Sequence, residues 1–204
     1  MRKPLAILSA AFLVVLSAVA AAVGMANIYR SEADSLAGEW FWTEDEEGPP
    51  AWAWEQVHRY LWLANCLAPF DPQILDDLGQ LYEFRAGEAW AKESNADLDR
   101  ALEYYRQSLA LRPSWPYTWA NIVGLKISQE HIDAEFGYAI QRALVLGPWQ
   151  TSVQAGIAGG GLAVWDKLPA TLQMDVEHTV ARGLAHDSRL MHAVARRFGL
   201  LATQ

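Results

Sequence analysis

With 204 residues the chain has room for one domain and an appendage. Apolar residues make up 52% of it and ten tryptophans supply bulk for a core, while a formal net charge of −8 gives a nucleic-acid role no electrostatic support. A single cysteine, Cys66, excludes an intramolecular disulfide framework and any cysteine-based metal cluster.

Two basic residues, Arg2 and Lys3, precede a stretch from Pro4 to Tyr29 that holds no charge. Its first 22 residues, 4–25, make a helix of about 33 Å at ~1.5 Å per residue, enough to cross a hydrocarbon core. Two readings compete. A secretory signal peptide would use residues 5–17 as its apolar region and end near Ala18-Val19-Ala20, a small-x-small site. A retained anchor would use the whole run to Ala26, and because the run continues past the cleavage motif the anchor is preferred. Under either reading the early basic residues hold the amino terminus in the cytoplasm and send the rest across, into the periplasm of a bacterium.

Residues 31–50 carry Glu32, Asp34, Glu39, Glu44, Asp45, Glu46 and Glu47 with no Lys or Arg. Trp40-Phe41-Trp42 interrupts the acids, either to lie at a membrane interface or to pack back onto the first helices. The charges and Gly48-Pro49-Pro50 predict an exposed linker. The expected layout is an anchor or uncleaved signal over 1–29, an acidic linker over 30–50, a helical-repeat domain over 51–199 and a tail over 200–204.

From Ala51 the texture is helical. Trp54, Val57, Leu61 and Ala64 recur at spacings of three and four, one face of a helix. Cys66 lies in the same apolar run and reads as a small buried hydrophobe. Asp71-Pro72 predicts an N-cap followed by a first-turn proline. Leu98, Ala101, Leu102, Tyr105 and Leu109 share one face, Ser114 or Trp115 caps a helix opened by Pro116, and Gly147-Pro148 stops the helix that follows Asp133.

Within this region a longer pattern recurs. Leu75-x2-Leu78-Gly79-x2-Tyr82, then Ala101-x3-Tyr105 and Pro113, follows the tetratricopeptide order of large residue, Leu-Gly, Tyr, then Ala, aromatic and Pro. Its halves stand about ten residues farther apart than the consensus, mostly at 87–97. Trp119, Ala143 and Pro148 mark a weaker unit, with Val123 and Lys126 where Gly and Tyr are expected, and the helix ending at Pro72 marks a partial one. Such hairpins cannot bury their apolar faces alone, so the fold class is all-α: a short tetratricopeptide-like α-solenoid behind one transmembrane helix.

Gly159-Gly160-Gly161 inside a helical pattern marks close helix contact or a break, since each glycine costs about 1 kcal/mol against alanine. It is not a phosphate loop, because Leu162 follows where Lys is required. The histidines form no metal signature, and neither Asp76-Asp77 nor Asp97 with Asp99 is placed in a pocket by sequence, so no catalytic residue, cofactor site or metal ligand is assigned. Trp119 reads as core. Trp115 and Trp149 follow closing prolines at equivalent turns, where they either wedge hairpins together, the preferred reading, or stand exposed as stacking platforms for sugars or partner side chains. His178, Arg182, His186, Arg189 and Arg196 form a basic stripe that Asp187-Ser188 predicts to break into two helices. The candidate interaction surface is therefore Trp115, Trp149, Arg182, His186, Arg189 and Arg196.

Arg112-Pro-Ser-Trp-Pro-Tyr-Thr-Trp-Ala-Asn121, Asp133-Ala-Glu-Phe136, Arg142-Ala-Leu-Val-Leu-Gly-Pro-Trp149 and Trp165-Asp-Lys-Leu-Pro169 resemble the VpsP-type proteins, small membrane-anchored helical-repeat proteins encoded with bacterial exopolysaccharide or capsule machinery. The resemblance covers about 71–199 and the amino-terminal layout. It implies an accessory, non-enzymatic role in making or exporting a surface polysaccharide, with protein partners in the inner membrane and periplasm, and carries over no catalytic residues. The alternatives are a subunit of another envelope complex and a binder of acidic polysaccharide.

Overall fold

The computed structural model describes residues 2–40, 49–88, 90–91, 94–186 and 188–200. Among them are nine α-helices and one 3-10 turn at Trp165–Lys167, with no strand. The helices are α1 (Arg2–Trp40), α2 (Ala51–Leu67), α3 (Pro72–Ala86), α4 (Ser94–Leu111), α5 (Pro116–Ser128), α6 (Ala134–Leu146), α7 (Thr151–Ala163), α8 (Ala170–Ala185) and α9 (Arg189–Arg197).

Helix α1 departs from the expected layout. It runs unbroken for 39 residues, so residues 30–40 are helix and not linker, and no boundary falls at residue 29. Its stretch Ile7–Gly38 is long and apolar enough to cross a membrane. Large apolar side chains between Ile7 and Val23 are exposed, but from Ala26 onward one face is covered. Ala26 and Ala33 are each 1% exposed, and Tyr29, Leu36, Ala37 and Trp40 pack beside them. Those spacings of three and four are a helix face. Glu32 is exposed on the opposite side, while Asp34 pairs with Arg30 at 3.4 Å at the edge of the packed face, so the acids lie on and beside a packed helix. Tyr29 stacks on Tyr60 of α2 with ring centroids 6.1 Å apart. Arg30 Nε donates to Asp77 of α3 at 2.5 Å. Trp40 leans on Phe84, which decides its packing onto the first helices; Phe41, Trp42 and the acids at 44–47 lie outside the described residues. Pro49 is buried, its carbonyl accepting from Trp90 Nε1 at 3.0 Å.

The remaining helices follow as antiparallel neighbours. α1 packs on α2, α3 on α4, α5 on α6 and α7 on α8, while α3 also meets α5 and α5 meets α7. One continuous core runs through them, with Tyr105, Phe136, Ile74, Leu78, Ile122, Leu125, Ile140 and Ile157 fully enclosed. Each such side chain stabilises the fold by about 1.5–3 kcal/mol. Caps fall at Asp71 and Ser188 as the residues predict, Asp71 accepting from Gln73 N at 2.8 Å and Ser188 from Met191 N at 3.3 Å, and Asp133 caps α6 by accepting from Phe136 N at 3.0 Å. Ser188 opens α9, so the basic stripe is divided.

Glycine sets the tightest approaches. A Cβ on Gly79 would meet the Tyr105 ring at 2.5 Å, and one on Gly161 would meet Val176 at 2.3 Å. The glycine run therefore marks close helix contact with no break in α7. Two burial expectations are corrected. Cys66 is exposed, because it lies off the face shared by Trp54, Val57, Leu61 and Ala64. Trp119 is only partly buried, at the core's edge, with its indole N–H on the Pro113 carbonyl at 3.0 Å and Tyr138 edge-on.

Candidate interaction surface

The connections at 68–71, 112–115, 147–150 and 186–188 all join the second helix of one antiparallel pair to the next helix, so they gather at one end of the layer. Contacts link them in succession. Arg112 Nη2 donates to Gln73 Oε1 at 3.3 Å, bringing the second turn beside the first. Tyr117 donates its hydroxyl to Gln150 at 2.8 Å, and Gly147 sits against the ring of Pro116, bringing the third beside the second. The fourth joins through Trp149, whose ring lies edge-on to His186 at 5.2 Å.

Of the six residues singled out by sequence, three come together along this row. Arg182 holds its guanidinium 5.7 Å from the Trp149 ring that His186 also touches. Trp149 is 66% exposed, which corrects the expectation that it is buried and wedges consecutive hairpins together. Glycine at position 147 lets Pro116 fill the seam, so the indole is left outside. Trp115 is half-buried one turn away, with Arg112 stacked 4.1 Å over its ring and Tyr117 beside it. Arg189 and Arg196 are exposed on α9.

Sequence reasoning missed Phe70, 81% exposed in the first of these turns, and Trp62, 52% exposed in the carboxyl half of α2. A signal for Phe70 existed: Pro69-Phe70, Pro113-Ser114-Trp115 and Pro148-Trp149 each place an aromatic within two residues of a turn proline.

No protein-family model matches the chain, and no curated protein matches it significantly.

Buried polar groups close seams between helices. Asp76 on α3 is 2% exposed, and burial pushes its carboxyl up to about 6, against the pull of the Thr118 hydroxyl and Arg112. Glu83, also raised by burial, accepts from Tyr105 at 2.7 Å. Asp97 is enclosed against Arg85, whose guanidinium lies 3.9 Å over Trp54. His58 stacks on Trp54 and meets the Tyr82 hydroxyl at 3.0 Å; burial, then Arg85 and Arg100, lower its pKa. Lys126 is 3% exposed and reaches Asp133 at 2.7 Å and Glu135 at 2.9 Å. Among the described residues no group of His, Cys, Asp and Glu is arranged to hold a metal. These hydrogen bonds and ion pairs tie one helix to the next. The row of turns presents exposed aromatic rings beside cations.

Proposed function

We propose that the chain is a membrane-anchored adaptor: a short tetratricopeptide-like α-solenoid held in the bacterial periplasm by one pass through the inner membrane, accessory to exopolysaccharide or capsule biosynthesis or export, and acting by protein–protein contact. The observation that carries the reading is the continuity of α1. The helix apolar enough to span a bilayer enters the body without a break and is locked there by Ala26, Ala33 and the Arg30–Asp77 pair. A body so fixed is presented to neighbours in one orientation, which suits a scaffold. The contacts of α3 with α5 and α5 with α7 support the solenoid, since first helices of successive hairpins line one side of such a stack.

The test is detergent solubilisation of native membranes followed by affinity capture of the full chain. Polysaccharide-pathway proteins are expected among those retained, and protease added to spheroplasts should degrade the body while leaving a protected α1. Capture of an unrelated envelope complex would move the chain to that complex.

A second reading draws on Trp149 with Arg182, an exposed aromatic face beside a cation. Such a pair can stack on and neutralise an acidic sugar. Isothermal titration with the cognate polysaccharide would release heat if it binds; a flat trace removes this reading.

A further inference from the structure

We propose that the row of helix turns described above lies on the surface of the bilayer that α1 crosses, with Trp62, Phe70 and Trp149 at headgroup level. The inference rests on reading α1 as the anchor.

Direction comes first. α2 reverses into α3 through the short turn at 68–71 and packs back along it, with Trp54 on Leu81, so it runs antiparallel to α3 and to α1 and its carboxyl end returns toward the membrane. α3 runs parallel to α1, with Arg30 on Asp77 and Trp40 on Phe84. The turn between α2 and α3 therefore faces the anchor end. The successive contacts Arg112–Gln73, Tyr117–Gln150 and Trp149–His186 keep the other turns on that side.

Level comes second. Following both helices down from the Tyr29–Tyr60 pair, Leu67 comes level with Ala22, roughly 10 Å nearer the amino terminus than Tyr29 at ~1.5 Å per residue. The charge-free run does not end until Arg30. The first turn thus sits beside a part of α1 that belongs to the apolar run, and Phe70, 81% exposed, projects there.

Composition agrees. Exposed aromatic rings settle at membrane–water interfaces, and cations beside them meet anionic headgroups. Arg112, Arg182 and Arg189 accompany the row. Among the described residues, the connections at the other end carry Glu88, Glu130, Asp133 and Asp166 against Lys167, with Trp52 66% exposed in the first turn of α2 beside them. An aqueous setting would leave Phe70 and Trp149 uncovered; a bilayer covers both at once. Trp149 is then lipid-facing and not a sugar platform, and partners reach the sides and the acidic end of the body.

The test uses the full chain in vesicles of phosphatidylethanolamine and phosphatidylglycerol. Cys66→Ala removes the native thiol, and spin labels are placed singly at Val15→Cys, Phe70→Cys, Trp149→Cys and Asp166→Cys. Collision with dissolved oxygen is compared with collision with a water-soluble nickel chelate. Labels at 15, 70 and 149 should favour oxygen, 15 most strongly, and the label at 166 should collide with nickel several-fold more often than those at 70 and 149. Labels at 70 and 149 as aqueous as that at 166, with 15 still in lipid, overturn the inference and leave the anchor intact. An aqueous label at 15 overturns both. Protection at 149 that appears only at high protein-to-lipid ratio assigns the row to a second copy and overturns the bilayer assignment.

Discussion

Thr118 on α5 donates its hydroxyl to the Asp76 carboxylate on α3, 2.8 and 2.9 Å from the two oxygens, inside a seam that water does not reach. One hydroxyl is modest compensation for a buried charge, which is why the carboxyl is raised from 3.8 to about 6. The folded chain therefore holds this proton more tightly than the unfolded one. Between pH ~4 and ~6 the unfolded state releases it first, so stability falls as pH rises across that window and the penalty persists above it. Asp76→Asn should remove this fall, so that the two proteins' stabilities diverge by up to about 3 kcal/mol between pH 4 and 7. Urea unfolding at a series of pH values measures it; parallel pH profiles would show that Asp76 is not the titrating group.

Asp97 presents the opposite balance. It accepts from Arg85 Nε at 2.7 Å and from Arg85 Nη2, while Trp54 and Tyr82 lie 3.9 and 4.9 Å beneath the guanidinium. Asp97→Ala leaves that cation enclosed without a counter-charge and should destabilise by about 3–5 kcal/mol. The double replacement Arg85→Met with Asp97→Leu should recover most of the loss, because the stacked site then holds apolar groups. A double-mutant cycle in urea gives both numbers.

Two glycines of α7 should respond in opposite directions. Gly161→Ala drives a methyl into the branched Val176 side chain at 2.3 Å and should cost about 1–3 kcal/mol. Gly156 is exposed with nothing within 4 Å of its missing Cβ, so Gly156→Ala should stabilise by about 0.5–1 kcal/mol. Thermal unfolding of the pair checks the signs.

Lys126 buries its stem and brings its ammonium out to Asp133 and Glu135. Lys126→Met keeps the stem volume and leaves two acids that water can still solvate, so it should cost less than about 1.5 kcal/mol. Lys126→Ala empties the site and should cost about 2–3 kcal/mol. Equal losses would mean that the ion pairs, and not the packing, hold α5 to α6.

How much of this was legible in sequence depended on how local the determinant was. Asp71 and Ser188 cap their helices because capping needs only a side chain and an amide two or three residues on. The face of Trp54, Val57, Leu61 and Ala64 followed from spacing alone. The acidic stretch after residue 30 misled because its buried face is built from small residues, Ala26, Ala33 and Ala37, whose apolar signal is weak beside Glu32 and Asp34. Trp149 misled for another reason: whether an indole is enclosed depends on what stands across the turn, and Pro116 had already filled that place against Gly147. Asp76 became notable only through Thr118, 42 positions away.

Because α1 carries no joint between its apolar run and Ala33, the angular setting of the body is written in residue count. Inserting one residue near Met25 would turn everything beyond it by about 100° around the helix axis while lifting it only about 1.5 Å. The stalk thus acts as a compass bearing, fixing which way each flank of the body faces around the axis of α1.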